Sequence, residues 1–494
     1  MSLISVNNLT FGYDGSLKNI FENVSFNIDT DWKLGLIGRN GKGKTTFLKL
    51  LLGKYEYQGA ISKNVEFDYF PFEVKNKERM AIEIVNEIAP NVEDWEIIRE
   101  LNILNTDTEV LYRSFNLLSG GEQIKILLIS LFLKGNNFLL IDEPTNHLDI
   151  ETRNNLVNYL EKKKGFILVS HDRNFLDKVV NHIISINNTN IEIQQGNFSS
   201  WKENKNRQDN FEKIQNERLQ KDINRLEIAS KNCAKWSNEA EKTKNKKYNS
   251  ETTIDKGYIG HKADKMMKKS KVMEQRIEKA INEKTNLLKN IEVNDTLKII
   301  PLKSNKNPLI FAHNLQIKYS KETIFNPITF EVNNGDRVAL IGKNGIGKSS
   351  ILKLILGEEL QYNGEFMVAN DLKISYVSQS TEDLKGNLRT FAYDNKINES
   401  IFKAMLVKMG LSQFDFDTNI QDMSEGQKKK VLIAKSISEQ ANIYIWDEPL
   451  NYIDILTREQ IEDAILNYNP TIIFVEHDEK FIEKVATKII NLVK

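Results

Sequence analysis

The chain has 494 residues, 40% hydrophobic and 28% charged, with 68 Lys+Arg against 68 Asp+Glu. Such a composition excludes the fibrous and low-complexity classes and leaves room for about three globular domains. A single cysteine, Cys233, excludes an internal disulfide framework and points to a cytosolic home. The opening stretch MSLISVNNLTFGYDG lacks the basic and apolar regions of a secretion signal, so none is expected. The longest apolar run, Ile126 to Leu133, is far short of the ~20 residues that cross a bilayer, so no membrane span is expected.

In chain order, a buried-strand pattern, WKLGLIG, leads into GRNGKGKT at 38–45, and a helical pattern, FLKLLLG, follows. Further on come YFPF at 69–72, LSGGEQ at 118–123, FLLIDEPTNHLD at 138–149 and LVSHD at 168–172. After a long charged connector the series returns: GKNGIGKS at 342–349, YVSQ at 376–379, MSEGQK at 423–428, IYIWDEPLNYID at 443–454 and FVEHD at 474–478. Corresponding residues are offset by 304 to 306 positions, which is too long for a solenoid and marks a domain duplication. Apolar runs alternating with helical ones predict an α/β fold, with a mostly parallel sheet in each half. The expected domains are 1–200, a connector over 201–300, and 301–494.

Both G-x-x-x-x-G-K-[ST] stretches predict phosphate-binding loops. The glycines let backbone N–H groups turn inward, and the following helix presents its positive end. The candidate ATP-binding residues are Gly38, Asn40, Gly41, Gly43, Lys44, Thr45 and Thr46, with Gly342, Asn344, Gly345, Gly347, Lys348, Ser349 and Ser350 in the second half. The hydroxyls of Thr45 and Ser349 are candidate Mg²⁺ ligands, together with Asp142 and Asp447, each of which ends an apolar strand pattern. Glu143 and Glu448 come next. Strand alternation would turn them away from the metal-binding Asp and free them to polarise an attacking water. His171 and His477 recur in register before an Asp and are candidate γ-phosphate sensors.

These motifs together resemble an ABC (ATP-binding-cassette) ATPase. The resemblance implies two domains paired head to tail, with each ATP between the P-loop of one half and the serine loop of the other. One site would combine Lys44, Glu143 and His171 with Ser424 and Gly426; the other would combine Lys348, Glu448 and His477 with Ser119, Gly120 and Gly121. It also implies that Asp149 and Asp454 form D-loops and that Tyr13 and Tyr319 stack on adenine. Two departures fall in the Lys44 site. Phe72 stands where the second half has its metal-contacting Gln379, and Glu425 replaces the usual small residue beside ATP. The expectation is that the Lys44 site hydrolyses more slowly.

The connector, residues 201–300, holds 24 Lys+Arg and 16 Asp+Glu. No proline occurs between Thr145 and Ile300, and no glycine between Gly196 and Gly257, so long helices are expected. Apolar residues at Phe211, Ile214, Leu219, Ile223 and Leu226, and at Met273, Ile277, Ile281, Leu288 and Ile291, predict an antiparallel pair with a narrow seam. Its arms would span 203–241 and 262–297, around a tip near 242–261. That tip is basic and carries Tyr248 and Tyr258, residues suited to RNA phosphates and to stacking. A solvated charged coiled coil is the alternative reading of the same charges.

Two fused ABC domains and a charged connector resemble the ABC-F family, and within it the Lsa-type antibiotic-resistance proteins. The stretches that carry this are TDWKLGLIGRNGKGKTT, QQGNFSSW, DKGYIGHKADKMMKKSK and YIWDEPLNYID. The resemblance implies a cytoplasmic monomer that binds the ribosomal exit site and brings the connector tip to ribosomal RNA and P-site tRNA. Relief from lincosamides, pleuromutilins and streptogramin A would follow. A housekeeping translation factor, the energy subunit of a drug exporter and a DNA-binding ABC ATPase are the other readings. Residues 72–118 form a stretch about as long as 379–423, so no large arm insertion is expected, nor any extension beyond FIEKVATKIINLVK.

Overall fold

The computed structural model describes residues 3–13, 19–135, 137–146, 148–187, 190–244, 265, 268–269, 271–273, 275–280, 296–319 and 322–494, without the side chains of 230, 233–234, 236–244, 319, 322 and 413–414. The chain divides into two units, one formed by 1–201 with 294–494, the other by 202–293.

In the first half, β1 (Leu3–Phe11), β2 (Phe21–Asp29) and β4 (Gln58–Ser62) form an antiparallel sheet. A second sheet runs in the order β5 (Glu66–Phe70), β6 (Asn137–Asp142), β7 (Phe166–Val169), β3 (Lys33–Ile37), β8 (His182–Asn187), β9 (Asn190–Gln195). It is parallel except at β9. The helices are α1 (Lys44–Leu51), α2 (Ala81–Ile88), α3 (Asp94–Ile103), α4 (Gly120–Leu133), α5 (Ile150–Leu160), α6 (Arg173–Val179) and α7 (Phe198–Lys244).

The second half repeats this plan. Strand β10 (Ile310–Tyr319) pairs with β11 (Glu322–Thr323), β12 (Ile328–Val332) and β14 (Gln361–Val368). The parallel sheet is ordered β15 (Ile374–Val377), β16 (Ile443–Asp447), β17 (Ile472–Val475), β13 (Arg337–Ile341), β18 (Lys488–Asn491). Its helices are α8 (Lys348–Ile355), α9 (Leu388–Asp394), α10 (Glu399–Lys408), α11 (Glu425–Ser438), α12 (Ile455–Tyr468) and α13 (Glu479–Val485).

The α/β duplication read from the sequence is therefore the fold. Strands β7, β16 and β17 are buried at every position, as unalternated apolar runs require when helices cover both faces of a sheet. Each P-loop strand, β3 or β13, lies inside its sheet, so its loop emerges at the sheet's C-terminal edge beside the ends of β6 or β16.

The first turn of α7 packs Phe198 and Trp201 onto the core of the first half. In the unit 202–293, α7 faces helical residues within 265–280, and Ile223 and Ile277 are buried. Leu226, Val272, Met273 and Ile277 share an open cleft of about 780 Å³ with Lys265, Lys268, Lys269 and Arg276. Phe211, Ile214 and Met273, expected on the seam, are more than half exposed. Ile281, Leu288, Ile291 and the tip lie outside the described residues. The second arm does not reach 297 as a helix. Leu297 and Ile299 are non-helical and buried in the core of the second half, where apolar burial outweighs helix propensity.

The two halves meet directly. On one side Arg173 of α6 and Glu462 of α12 form a buried ion pair, with Lys480 Nζ 2.5 Å from Asp177 and Asn174 donating to Glu479 at 2.7 Å. Glu462 is 0% exposed, so removing it alone leaves the Arg173 guanidinium buried and underpaired. Glu462→Leu is expected to destabilise the chain by about 3 kcal/mol, read as a lowered thermal midpoint, and the Arg173→Leu/Glu462→Leu double variant should recover most of it.

Candidate functional site

Both P-loops end in a glycine with left-handed backbone, Gly43 at φ 92° and Gly347 at φ 99°, which caps the following helix without any side-chain hydrogen bond. The first amides of α1 and α8 are therefore left for an anion. Gly41 and Gly345 also have positive φ, 79° and 77°, and a Cβ built on either would meet nothing within 4 Å. Lys44 Nζ donates to Gly38 O at 2.7 Å and Asn40 Oδ1 at 3.1 Å; Lys348 Nζ donates to Gly342 O at 2.8 Å and Lys343 O at 3.1 Å. Both ammonium groups are buried, and burial holds each below the usual lysine range. A phosphate would offer each a stronger, charge-assisted acceptor than these carbonyls.

Thr45 Oγ1 donates to Asp142 Oδ2 at 3.0 Å, so the two candidate metal ligands of the first half already touch. Ser349 hydrogen-bonds to Asp447 in the same way, and Asp447 Oδ1 is buried with no donor. Burial raises both aspartates above the ordinary carboxylate range. A carboxylate beside a hydroxyl, with one carboxylate oxygen of Asp447 left without a donor, suits a hard divalent ion that takes its remaining ligands from phosphate and water. Among the described residues no group of three His, Cys, Asp or Glu is arranged to hold a metal without such help.

The strand ends at the aspartate, so pleat alternation does not place the next residue. Glu143 and Glu448 instead adopt left-handed backbone, φ 52° and 46°, and their amides donate to Val169 O and Val475 O of the neighbouring strand. Non-glycine residues at positive φ are uncommon and cluster at functional sites. This turn brings Glu143 Oε1 to 3.3 Å from His171 Nε2 and Glu448 Oε1 to 3.6 Å from His477 Nε2. Burial holds both imidazoles below their usual range, so both are neutral near pH 7. Burial, reinforced by Asp142, pushes Glu143 up to about 8.

The halves face each other head to tail across these sites. Asn40 Nδ2 of the first P-loop donates to Tyr452 O at 2.7 Å, and Asn344 N of the second donates to Asp149 Oδ2 at 3.4 Å. Lys343 Nζ lies 2.7 Å from Glu151, and Arg153 Nη1 donates to His477 O at 2.9 Å. Gly426 packs so closely that a Cβ there would stand 2.7 Å from both Asn40 Nδ2 and Tyr452 O. The structure thus places Lys44, Asp142, Glu143 and His171 beside Gly426 and Asp454 of the other half. It places Lys348, Asp447, Glu448 and His477 beside Asp149 and Arg153 of the first half. The hydroxyls of Ser119 and Ser424 cap their own helices, donating to Glu122 at 2.7 Å and Gln427 at 3.0 Å.

Tyr13 is 45% exposed, its ring edge-on to Phe11 and Tyr55 and its hydroxyl 2.8 Å from Thr46 Oγ1. Tyr319 ends β10, and its side chain lies outside the described set. Gln379 is exposed, as is Phe72. Glu425, expected beside ATP, turns back into its own half, where Thr381 Oγ1 donates at 2.5 Å and Lys428 Nζ at 3.0 Å.

Several site residues escaped the sequence reading. Tyr69 donates its hydroxyl to Asp142 Oδ2 at 2.9 Å. Asn451 Nδ2 donates to Glu448 Oε2 at 2.7 Å, whereas both carboxylate oxygens of Glu143 are buried without a hydrogen bond. Arg153 and Arg458 donate to Asp172 and Asp478 at 3.1 and 3.0 Å, behind the histidines. The repeat itself held the signal for Tyr69, because Tyr376 stands at the same register of the second half.

A methyl group at Gly426 collides with the backbone of the same half and the P-loop of the other. Gly426→Ala is expected to keep nucleotide binding at separate P-loops while lowering steady-state turnover at least ~10-fold. Filter binding and phosphate release, measured on the same preparation, check this.

The ABC transporter family profile matches residues 21–146 and 325–451. The ATP-binding protein Uup of Buchnera aphidicola subsp. Acyrthosiphon pisum is 30% identical over 99% of this chain and 80% of its own length. The ribosome protection protein VmlR of Bacillus subtilis is 28% identical over 96% of this chain and 84% of its own. The ABC transporter F family member 2 of Arabidopsis thaliana is 24% identical over 99% and 76%. Among solved structures, the archaeal ribosome recycling factor aABCE1, crystallised with the ribosomal stalk protein aP1, superposes with a TM-score of 0.63 over 98% of this chain and 87% of that one. At 19% identity this is a likeness of fold. With the family's domain in both halves, and similarity running nearly end to end in two-domain relatives, the chain belongs to the ABC family as a two-domain ATP-binding protein of the ABC-F type.

Proposed function

We propose that this chain binds two ATP molecules across its seam, hydrolyses them, and acts on the ribosome. There it would occupy the tRNA exit site, and its connector tip would shield the peptidyl-transferase centre from lincosamides, pleuromutilins and streptogramin A. The observation that carries the ATPase reading is the pairing of each P-loop with the D-loop of the opposite half. The ribosomal reading is supported by the excess of 24 Lys+Arg over 16 Asp+Glu in residues 201–300 and by the match to a ribosome protection protein over 84% of its length. No helix among the described residues is long and apolar enough to cross a membrane, and the chain is proposed to work as a cytoplasmic monomer.

In this reading the P-loop amides with Lys44 or Lys348 bind the phosphates, and Thr45 with Asp142, or Ser349 with Asp447 and Gln379, hold Mg²⁺. The ion, when bound, neutralises charge on the phosphates. Glu143 and Glu448 orient the attacking water, and His171 and His477 contact the γ-phosphate. Ser119 and Ser424 leave their helix caps to meet the opposite nucleotide. Closure holds the chain on the ribosome, and hydrolysis releases it.

The two sites are proposed to be unequal, with the Lys44 site slower, because Phe72 supplies no ligand where Gln379 does. Glu448→Gln is expected to lower turnover at least ~10-fold, and Glu143→Gln less than ~2-fold. Equal losses in a phosphate-release assay would contradict this.

The Glu143→Gln/Glu448→Gln chain is expected to co-sediment with ribosomes when ATP is present; recovery in the ribosome-free fraction would count against the ribosomal reading. Purified chain should restore in vitro translation stalled by a lincosamide, and deletion of 244–258 should abolish that rescue. A housekeeping translation role is the second reading, favoured by the equally extensive match to an ATP-binding protein with no protective role in its name. Expression without any change in drug susceptibility would select it.

A further inference from the structure

In the second half the loop that carries Gln379 is tied to the helix that carries Ser424. The ammonium of Lys429, one turn into α11 and 2% exposed, donates to Ser378 O at 2.8 Å. On the other side of Gln379, the Thr381 hydroxyl, 6% exposed, donates to the carboxylate of Glu425 at 2.5 Å. The two hydrogen bonds straddle Gln379 and end on the first two turns of α11. Gly426, between those anchor points, presses against Asn40 and Tyr452 O at the Lys44 site. Two hydrogen bonds therefore join the loop that follows β15, beside Asp447, to the start of the helix that carries Ser424 and Gly426.

The first half cannot build this link. By strand register Phe70 corresponds to Val377, so Pro71 and Val74 stand where Ser378 and Thr381 do. By the serine motif, Gly120 and Ile124 stand where Glu425 and Lys429 do. Ile124 has no donor, Gly120 no carboxylate and Val74 no hydroxyl.

We propose that Lys429 and Glu425 are positioning residues that couple the two ATP sites through the second half. On the two-nucleotide reading above, ATP at the Lys348 site orders the Gln379 loop, and the link carries that order to Ser424 and Gly426 over the Lys44 site. By linkage, ATP at the Lys44 site raises affinity at the Lys348 site by the same factor. The charge of Glu425 thus serves a contact within its own half, which accounts for a carboxylate where a small residue would otherwise stand.

The test is equilibrium ATP binding to the full chain carrying Glu143→Gln and Glu448→Gln, which keeps nucleotide intact during titration. The expected result is a stoichiometry of two with a Hill coefficient above 1, bounded by the ~2 sites. Adding Lys429→Met, or separately Thr381→Val, should bring the coefficient to 1 while two ATP still bind, and Lys429→Arg should restore it. The Thr381→Val variant leaves Lys429 in place, so the question stays answerable if Lys429→Met fails to fold. An unchanged coefficient in both variants, or a coefficient of 1 in the parent, overturns the proposal. A parent stoichiometry below two overturns instead the two-nucleotide reading on which it rests.

Discussion

Asn40 reaches across the seam to a backbone carbonyl of the opposite half, and Gly426 lies so near that contact that no side chain fits. Each P-loop is bordered by residues of the opposite half. This constraint explains why two whole domains travel in one chain. A composite site on separate subunits depends on their concentration, whereas covalent fusion makes assembly intramolecular. The buried Arg173–Glu462 pair on the same seam adds a contact that involves no candidate nucleotide ligand, so the halves hold a common register apart from the sites.

Motifs with a strict backbone requirement were legible in the sequence. The P-loops show there because left-handed Gly43 and Gly347 leave no chemical alternative, and the central strands show because a strand covered on both faces must be apolar throughout. Contacts that depend on which side chains meet in space were not legible. Tyr69 reached Asp142 from the neighbouring strand, and Lys429 and Glu425 turned into their own half, a choice that charge pattern along one helix does not encode. Pleat alternation was expected to turn Glu143 and Glu448 away from the aspartates, whereas the structure places them by a left-handed turn. The connector was legible as helix, yet its second arm was drawn too far, because Leu297 and Ile299 belong to the core of the second half.

The two halves differ in the contacts around their paired acids. Asp142 takes a tyrosine hydroxyl where Asp447 keeps an orphaned oxygen, and Glu448 gains Asn451 where Glu143 has no hydrogen bond. Helix α11 bears Lys428, Lys429 and Lys430 in a row, and Lys430 is buried against Asp454 at 2.6 Å. These differences sit on a shared central order of parallel strands; the first half adds the antiparallel β9 to that sheet, and the second half adds β11 to its antiparallel sheet.

The left-handed backbone at Glu143 and Glu448 bears on how this protein can change over time. A glutamate in that conformation costs about 1 kcal/mol relative to glycine, and asparagine or aspartate tolerate it better. Random substitution at these two codons therefore has a downhill direction that leads toward a sturdier and chemically poorer chain. A glutamate stands at the same strained turn in both halves, so any role these carboxylates have is held against a local cost in stability.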